Sequence, residues 1–344
     1  CPVDIEHVDH IVDMRRYQVM IESEFPTELG GLFRNLENKG NPWGQNNSDR
    51  MGWAKELDFD VPVVPSGSEI GADIEYLYWV GCAGAFDDRA KRTTRAVAEL
   101  LHMAGVTFAV LGGGEACTGD PARRAGNEFV FQMLAQQNVE VLDAAFGRRA
   151  QRKMVVTCAH CFNTFSNEYP DLGGDFQVVH HTQLLNKLVR DRKLVPVVAP
   201  DRSVSGTGRT AAAGGKPVTY HDPCYLGRHN KVYSPPRELI GAAGLELAEM
   251  PRNSSRALCC GAGGARMWME ERIGKRINLE RIDEALDTGA DQIATGCPFC
   301  KAMLTDGLTA RQAEPTTERD IAGVEVIDVA QMLLAAVKPV TPSA

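Results

Sequence analysis

The chain has 344 residues, of which 44% are hydrophobic and 24% are charged, and its formal net charge is −8 at pH 7. This composition is globular, and the length allows one large core or two ordinary ones. The acidic balance argues against a nucleic-acid partner, which would need a basic surface. Ten cysteines are too few for a disulfide scaffold, and no run reaches the roughly 18–20 apolar residues that span a bilayer.

The first predicted element is a helix over residues 5–21, where polar and apolar residues are mixed at helical spacing. Residues 26–72 are rich in Gly, Pro and Asn, and the run 41–47 suits neither a helix nor a strand. We therefore predict an extended linker there, with Trp43 docked against the rest of the protein. Residues 1–72 form the first predicted unit.

Residues 73–200 form the second predicted unit, because short strand-like runs alternate there with helical stretches. This alternation predicts an α/β layer with a largely parallel sheet. The predicted strands are 76–80, 107–111, 153–157 and 176–180, and the predicted helices are 89–104, 122–137 and 182–190. Cysteines come at or after several of these elements, at Cys82, Cys117, Cys158 and Cys161.

Residues 217–337 repeat the order of the second unit, after a predicted flexible linker at 201–216 that is rich in Gly, Ser, Thr and Ala. The cysteines show the repeat most clearly. Cys82 and Cys224 are 142 positions apart, as are Cys117 and Cys259, whereas Cys158 and Cys297, like Cys161 and Cys300, are 139 apart. The sequence thus predicts two duplicated cysteine-rich α/β domains with parallel-sheet cores, preceded by a helical and irregular linker.

The second repeat contains five cysteines in three groups, Cys224, Cys259-Cys260, and Cys297 with Cys300. One structural Zn²⁺ takes four ligands, so five thiols are one too many. The side chains of two adjacent cysteines also tend to diverge, which suits two different irons of one cluster better than a single metal. These five cysteines are therefore predicted to bind an iron–sulfur cluster.

The first repeat differs, because Cys117-Thr118-Gly119 stands where the second has Cys259-Cys260-Gly261. Threonine is not a soft ligand, so this repeat offers four thiols. Four thiols allow either an ordinary cubane cluster or a structural zinc ion.

Four histidines lie near the cysteines in the sequence: His160, His180, His181 and His221. Each can be a hydrogen-bonded structural residue, and each can shuttle a proton that accompanies an electron. His221 is the strongest functional candidate, because it precedes Cys224 by three residues. We take Cys259, Cys260 and His221 as the candidate catalytic residues.

The pattern Cys-x34-Cys-Cys-Gly-x35-Cys-x-x-Cys of the second repeat resembles the cysteine-rich domain of heterodisulfide reductase subunits B and D. The iron–sulfur subunits of glycolate, lactate and anaerobic glycerol-3-phosphate oxidation share that domain. The resemblance implies that the five cysteines hold a non-cubane four-iron cluster. It does not extend the non-cubane cluster to the first repeat, which departs from the pattern at Thr118.

Cys1-Pro2 resembles the end of a bacterial ferredoxin motif, which implies that Cys1 is a ligand left over from an upstream ferredoxin module. The runs 8–17, 41–44 and 264–271 resemble the C-terminal part of bacterial membrane-bound iron–sulfur oxidoreductases. That resemblance implies a relay of electrons from a reduced flavoprotein, electron-transferring flavoprotein above all, towards a quinone. It also implies a membrane module in the same parent protein and a place on the cytoplasmic side of the cell membrane.

Two alternatives stay open at the level of sequence. The chain can be the iron–sulfur subunit of a glycolate- or lactate-type oxidase or of a heterodisulfide-type reductase. It can also be a zinc-bearing scaffold that docks partners. A brown colour with broad visible absorption would distinguish an iron–sulfur protein from the zinc scaffold.

Overall fold

Helix α1 (Val8–Tyr17) opens the fold in this computed structural model, which describes residues 3, 5–197, 217–314 and 320–337. A π-helical turn (Gln18–Glu22) continues it, and neither element contains a buried residue. The predicted helix over residues 5–21 is thus present. Arg15 fixes it to both repeats, because its Nη1 donates to the carbonyls of Arg124 and Gly264, each at 2.7 Å. Cys1 and the predicted linker at 201–216 lie outside the described residues.

Helix α2 (Thr27–Lys39) occupies the start of the segment predicted to be extended, so that prediction is wrong for these residues. The buried side chains of α2 follow the i, i+3, i+4, i+7 pattern of an amphipathic helix. They are Leu29, Leu32, Phe33 and Leu36. Gly30 and Gly31 weaken helix propensity in the first turns, which hid the pattern in the sequence. The helix ends at Gly40, whose φ of +60° is left-handed and therefore favours glycine.

The rest of the N-terminal segment packs on both repeats. Trp43 docks as predicted, with its ring stacked on Phe299 at 6.4 Å and edge-on to Trp268 at 5.3 Å. A run of 3₁₀ turns (Asn47–Glu56) then buries Arg50 and Trp53. The segment is therefore part of the folded core and not a free connector.

The first repeat is built on a parallel sheet with strand order β2-β1-β3-β4. Its strands are β1 (Tyr76–Trp79), β2 (Phe108–Ala109), β3 (Lys153–Val156) and β4 (Gln177–His180). Its helices are α3 (Gly81–Phe86), α4 (Asp88–Met103), α5 (Asp120–Ala125), α6 (Glu128–Phe146), α7 (Ala159–Asn163) and α8 (His181–Arg190). The single helix predicted over 122–137 is two helices, because Gly126, with φ of +97°, ends α5. Asn127 then caps α6 by accepting the N–H of Val130.

The second repeat has the same parallel order in the sheet β5-β6-β7. Its strands are β5 (Val218–Tyr220), β6 (Gln292–Thr295) and β7 (Glu325–Asp328). Its helices are α9 (Ser234–Ala242), α10 (Ile277–Asp287), α11 (Pro298–Gln312) and α12 (Val329–Val337). A single parallel bridge between Val218 and Leu247 takes the position beside β5 that β2 has beside β1. The duplication predicted from the cysteine spacing is therefore visible in the strand order.

The two repeats pack against each other with approximate two-fold symmetry. Helix α8 of the first repeat lies against α9 of the second, and α12 of the second lies against α4 of the first. Leu100, Leu184, Leu239 and Leu333 are buried at this junction. The bounds of the predicted units, at 1–72, 73–200, 201–216 and 217–337, stay predictions. Within the described ranges, no helix has the length and apolar character that a bilayer crossing requires.

Candidate metal centres

The strand ends place the cysteines. Cys82 comes shortly after β1, Cys158 after β3, Cys224 after β5 and Cys297 after β6. The carboxyl ends of parallel strands share one edge of a sheet, so the cysteine groups of each repeat meet there. Cys158 and Cys297 each follow a strand and hold the N-cap position of a helix, α7 and α11 respectively. Cys161 and Cys300 follow one turn later on the same helix ends.

The first centre consists of four buried thiols around one small cavity of about 20 Å³. They are Cys82, Cys117, Cys158 and Cys161. Gly81, with φ of +74°, passes so close that a Cβ there would lie 3.6 Å from Cys161 Sγ. Thr118 is directed at the same atom, with its Oγ1 3.9 Å from Cys161 Sγ. The structure thus brings together the four thiols predicted for this repeat.

Arg50 belongs to the first centre, although its place in the predicted linker gave no sign of this. Its Nη2 donates to Cys82 Sγ at 3.3 Å, and its Nη1 lies 3.7 Å from a carboxylate oxygen of Glu115. Both side chains are buried, and the N–H groups of Val80 and Gly81 also donate to Glu115. Burial opposes the ionisation of Cys82, yet hydrogen bonding with Cys117 and the charge of Arg50 lower its pKa to about 6.

The second centre consists of the five predicted thiols. Neighbouring thiols of this set shift each other's pKa, which pairs Cys224 with Cys259, Cys259 with Cys260, Cys260 with Cys300, and Cys300 with Cys297. Two thiols of this set, Cys259 and Cys297, have lowered pKa values. Burial opposes the ionisation of Cys297, yet Cys158, Cys300 and the charge of His160 hold its pKa well below the usual range. The neighbouring thiols Cys224 and Cys260 hold the pKa of Cys259 well below the usual range despite burial, and the N–H of Gly261 donates to Cys259 Sγ at 3.3 Å. A Cβ at Gly263 would lie 3.2 Å from the same sulfur, so the glycine loop lets the backbone approach it.

The other three thiols, Cys224, Cys260 and Cys300, resist ionisation. Contact with Cys259, together with burial, raises the pKa values of Cys224 and Cys260, and contact with Cys260 and Cys297 raises that of Cys300. Several buried thiolates so close together require a compensating cation, since nearby like charges and burial both disfavour ionisation. A bound metal supplies that charge, and soft thiolate ligands select zinc or iron–sulfur clusters. The donor set therefore fits the predicted cofactor.

The two centres touch. The thiols of Cys158 in the first repeat and Cys297 in the second lie near enough to shift each other's pKa, upward for Cys158 and downward for Cys297. Nine thiols, counted over the described residues, thus form one continuous array across the two repeats. The repeat spacing predicted two similar sites but gave no indication of this contact.

His221 lies beside the second centre as predicted. One of its ring nitrogens and the Sγ atoms of Cys260 and Cys300 all lie within 4.8 Å of one another. Arg281, on α10, donates from Nε to His221 Nδ1 at 3.0 Å. Burial, reinforced by the charge of Arg281, lowers the pKa of His221 to about 3. The imidazole is therefore neutral.

The other three histidines have partners within the fold. His160 Nδ1 lies 2.8 Å from Asp120 Oδ2, and this carboxylate raises the pKa of His160 against the effect of burial. His180 Nδ1 lies 2.8 Å from Thr182 Oγ1 at the start of α8. His181 Nε2 lies 3.1 Å from Asp328 Oδ1 and joins the two repeats. Each of the three thus has one ring nitrogen in a hydrogen-bonding contact, and the other ring nitrogen of His180 and of His181 is buried with no partner among the described residues.

Among the described cysteines, only two in the second centre are accessible from the surface. Cys224 and Cys259 are half-buried, while the other seven are buried. Both line a pocket of about 210 Å³. Three arginines, Arg15, Arg124 and Arg228, also line it, and none of the described acidic side chains does. Burial and these positive charges, chiefly Arg124 and Arg228, lower the pKa of His229 in the same pocket.

A family model for the CCG cysteine-rich domain matches residues 76–166 and 218–305, more than half of the chain. The chain belongs to the CCG cysteine-rich domain family. Its α/β fold with two CCG repeats is therefore confirmed, as is the resemblance on which it was predicted. The two matched ranges contain all nine cysteines of the array.

Several curated CCG proteins are similar over most of this chain. FadF of Bacillus subtilis, described as a probable iron-sulfur-binding oxidoreductase, is 42% identical over 97% of the chain and 44% of its own length. EtfAB:quinone oxidoreductase of Syntrophomonas wolfei is 41% identical over the same shares. One polypeptide of the dihydromethanophenazine:CoB–CoM heterodisulfide reductase of Methanosarcina barkeri is 30% identical over 86% of the chain and 65% of its own length. The chain thus spans less than half of the first two relatives.

A solved structure of a hypothetical protein from Helicobacter pylori shares the fold. Its TM-score is 0.54 at 11% identity, and the match covers 97% of this chain and 58% of that one. This likeness supports the architecture of the CCG repeats and nothing about their chemistry.

Proposed function

We propose that this chain is the iron–sulfur part of an electron-transfer oxidoreductase, which relays electrons from a reduced flavoprotein towards a quinone. The observation that carries the proposal is the continuous array of thiols, closed at the first centre and open to a surface pocket at Cys224 and Cys259. The names of the relatives FadF and EtfAB:quinone oxidoreductase favour electron-transferring flavoprotein as the flavoprotein.

The proposed cofactors follow the ligand sets. The five thiols of the second centre suit the non-cubane four-iron cluster, and the four of the first suit a cubane four-iron cluster, with zinc as its alternative. A bound iron–sulfur cluster supplies a one-electron carrier. We infer that Cys259 and Cys260 hold adjacent irons, since two neighbouring thiolates suit two irons of one cluster better than a single metal.

The protein's own side chains exclude water and balance charge around the two centres. Burial of the first four thiols excludes water, and Arg50 balances negative charge at Cys82. Cys158 and Cys297 shift each other's pKa across the two centres, which supports a short path for an electron between them. The arginines of the open pocket offset negative charge at Cys224 and Cys259, and this face is the proposed point of exchange with a partner.

The remaining partners are proposed from relatives. A probable membrane-anchored ferredoxin of Chromohalobacter salexigens is 38% identical over 94% of this chain and 45% of its own length. We propose that the parent protein likewise contains a ferredoxin module, to which Cys1 belongs, and a membrane module. The chain would then lie on the cytoplasmic side of the membrane.

The test mixes the membrane-bound parent protein with reduced electron-transferring flavoprotein and a menaquinone analogue under anaerobic conditions. We expect quinone reduction, and we expect Cys259→Ser to abolish it because that variant removes the thiolate at the open end of the array. The control is Thr94→Ser, a buried hydroxyl on α4 that keeps its oxygen. Undiminished turnover in Cys259→Ser would contradict the proposal.

The heterodisulfide-type alternative is supported by the similarity to the Methanosarcina barkeri heterodisulfide reductase, and the same experiment separates it. Reduction of the array only by the flavin subunit of a lactate or glycolate oxidase, or oxidation only by a disulfide, would replace the proposed partners. A colourless, zinc-containing protein would favour the docking scaffold.

A further inference from the structure

Arg281 lies at the centre of a buried network of hydrogen bonds. Its side chain is fully buried. Besides the Nε contact with His221, its Nη1 donates to the carbonyl of Arg252 and to Glu284 Oε2, each at 2.9 Å. Glu284 is itself fixed, since the backbone N–H and the Nε of Arg252 both donate to it. The guanidinium is therefore locked with one N–H directed at His221 Nδ1.

This lock fixes the tautomer of His221. A guanidinium keeps all its protons and has no acceptor, so His221 Nδ1 must accept with its lone pair. In a neutral imidazole the other nitrogen then carries the proton. Nε2 of His221 is thus an N–H group, and neither nitrogen of the ring has a free lone pair.

The consequence concerns the second centre. An imidazole within 4.8 Å of two thiols is a competing ligand, because histidine joins cysteine in many zinc sites and in some iron–sulfur centres. We propose that Arg281 is a positioning residue that excludes His221 from the ligand set and turns its Nε2–H into a hydrogen-bond donor for the second centre. The inference rests on the proposed function only in that a metal is bound there.

The first repeat supports the inference independently. Trp79 stands 142 positions before His221, the same offset that relates Cys82 to Cys224. Trp79 lines the cavity of the first centre, and its buried Nε1 has no partner among the described residues. An indole N–H can only donate and cannot bind a metal. Both repeats therefore present an N–H donor three residues before their first cysteine. In the first repeat this donor is the indole of Trp79, which can only donate. In the second it is His221, which is held in its donor form by Arg281.

N–H donors to cluster sulfurs are one of the means by which a protein sets a reduction potential. Removing the donor should therefore make the potential of the second centre more negative, without loss of metal. Removing Arg281 should have a different effect. The ring can then place its proton on Nδ1, and the lone pair of Nε2 becomes available as a ligand.

The test uses the anaerobically prepared chain and four variants. We expect His221→Gln, whose amide N–H can replace Nε2–H, to keep the metal content and the midpoint potential. We expect His221→Leu to keep the metal and shift the potential to a more negative value. Arg281→Leu should gain a directly bound imidazole nitrogen, seen by pulsed EPR on protein with ¹⁵N-labelled histidine. Arg311→Leu is the control, since that arginine is bound only to Asp283 and Glu314 among the described side chains.

Directly bound histidine nitrogen in the unaltered chain, lost in His221→Gln, would overturn the inference. So would identical potentials in His221→Leu and the unaltered chain. If Arg281→Leu fails to fold, the two His221 variants still show whether His221 is a metal ligand or a hydrogen-bond donor. X-ray absorption at the metal edge counts nitrogen ligands for iron and zinc alike. Zinc in place of iron would therefore contradict the proposed electron-transfer function, while the exclusion of His221 from the ligand set could still be tested.

Discussion

Thr118 is the residue that separates the two centres chemically. It holds the repeat position of Cys260, and its Oγ1 lies 3.9 Å from Cys161 Sγ. A hydroxyl there closes the ligand set of the first centre at four thiols, because oxygen is a poor match for soft metals. A hydroxyl in place of a thiol thus distinguishes the two otherwise duplicated sites.

Thr118→Cys should therefore convert the first centre. The change is nearly isosteric and adds a fifth thiol beside Cys117, so we expect the EPR signal of the first centre to become similar to that of the second. Cys260→Thr should produce the reverse change in the second centre while the α/β core still folds. Thr94→Cys, which adds a buried thiol on α4, is the control. Unchanged spectra and iron content in both variants would remove residues 118 and 260 from the ligand positions.

His221 should also make stability depend on pH. Its pKa is about 3 in the folded protein and about 6.5 when unfolded. Above pH 6.5 the ring is neutral in both states and costs nothing. As pH falls below 6.5, only the unfolded chain takes up the proton, so the free energy of unfolding decreases, by about 3 kcal/mol at pH 4.

Chemical denaturation of the metal-free chain between pH 7 and pH 4 measures this effect. His221→Gln should remove that part of the decrease, because glutamine does not titrate. His10→Gln, on the exposed face of α1, should behave like the unaltered chain. An equal loss of stability with pH in all three proteins would mean that His221 is protonated in the fold.

At the scale of elements, α2 shows how the N-terminal segment supports the first centre. The helix ends at Gly40, whose carbonyl accepts the N–H of Cys117 at 2.7 Å. A Cβ on Gly40 would lie 3.3 Å from Ala116 Cβ. The end of α2 thus holds the loop that presents one of the four thiols.

Gly40→Ala should destabilise the protein and disturb this loop. A left-handed backbone costs a residue with a Cβ about 1–2 kcal/mol, and the close contact adds to this. We expect the free energy of unfolding in urea to decrease by about 1–3 kcal/mol and the iron content of the first centre to decrease. Gly67→Ala is the matched control, because Gly67 has φ of +74° with nothing within 4 Å of its Cβ position. Equal effects in both variants would mean that the contact with Ala116 is unimportant.

The elements also show what a sequence can predict. The parallel strands and the nine cysteine positions follow from local patterns, namely strand-like runs, ligand spacing and an internal offset. Helix α2 was missed because Gly30 and Gly31 weakened its signal. Arg50 and Arg281 could not be found, because each acts on a residue 32 or 60 positions away that only the folded chain brings near. Trp79 could have been found by extending the 142-residue offset beyond the cysteines.

At the scale of the whole molecule, the contact between Cys158 and Cys297 connects the ligand sets of the two duplicated domains. Independent sites would each keep their properties when the other changes. Two thiols that shift each other's pKa instead couple the ligand sets directly. The packing of α8 on α9 and of α12 on α4 holds this contact in place from both sides.

Cys158→Ser should therefore alter both centres. We expect changes in the EPR signals of the first and second centres, because the first loses a ligand and the second loses the thiol that lowers the pKa of Cys297. Cys82→Ser, in the first centre but without a contact to Cys297 among the described interactions, should alter the first signal alone. A second-centre signal that is the same in Cys158→Ser as in the unaltered chain would show that the two sets are electronically separate.

The half-buried position of Cys224 and Cys259 has a practical consequence for handling the protein. Oxidation of cysteine follows thiolate character and access, and both are greatest at this end of the array. Dioxygen and peroxide would therefore attack the second centre first, through the pocket of about 210 Å³, while the closed first centre survives. A preparation exposed to air would lose part of its colour and iron, and the remaining half could be mistaken for a protein with a single metal site.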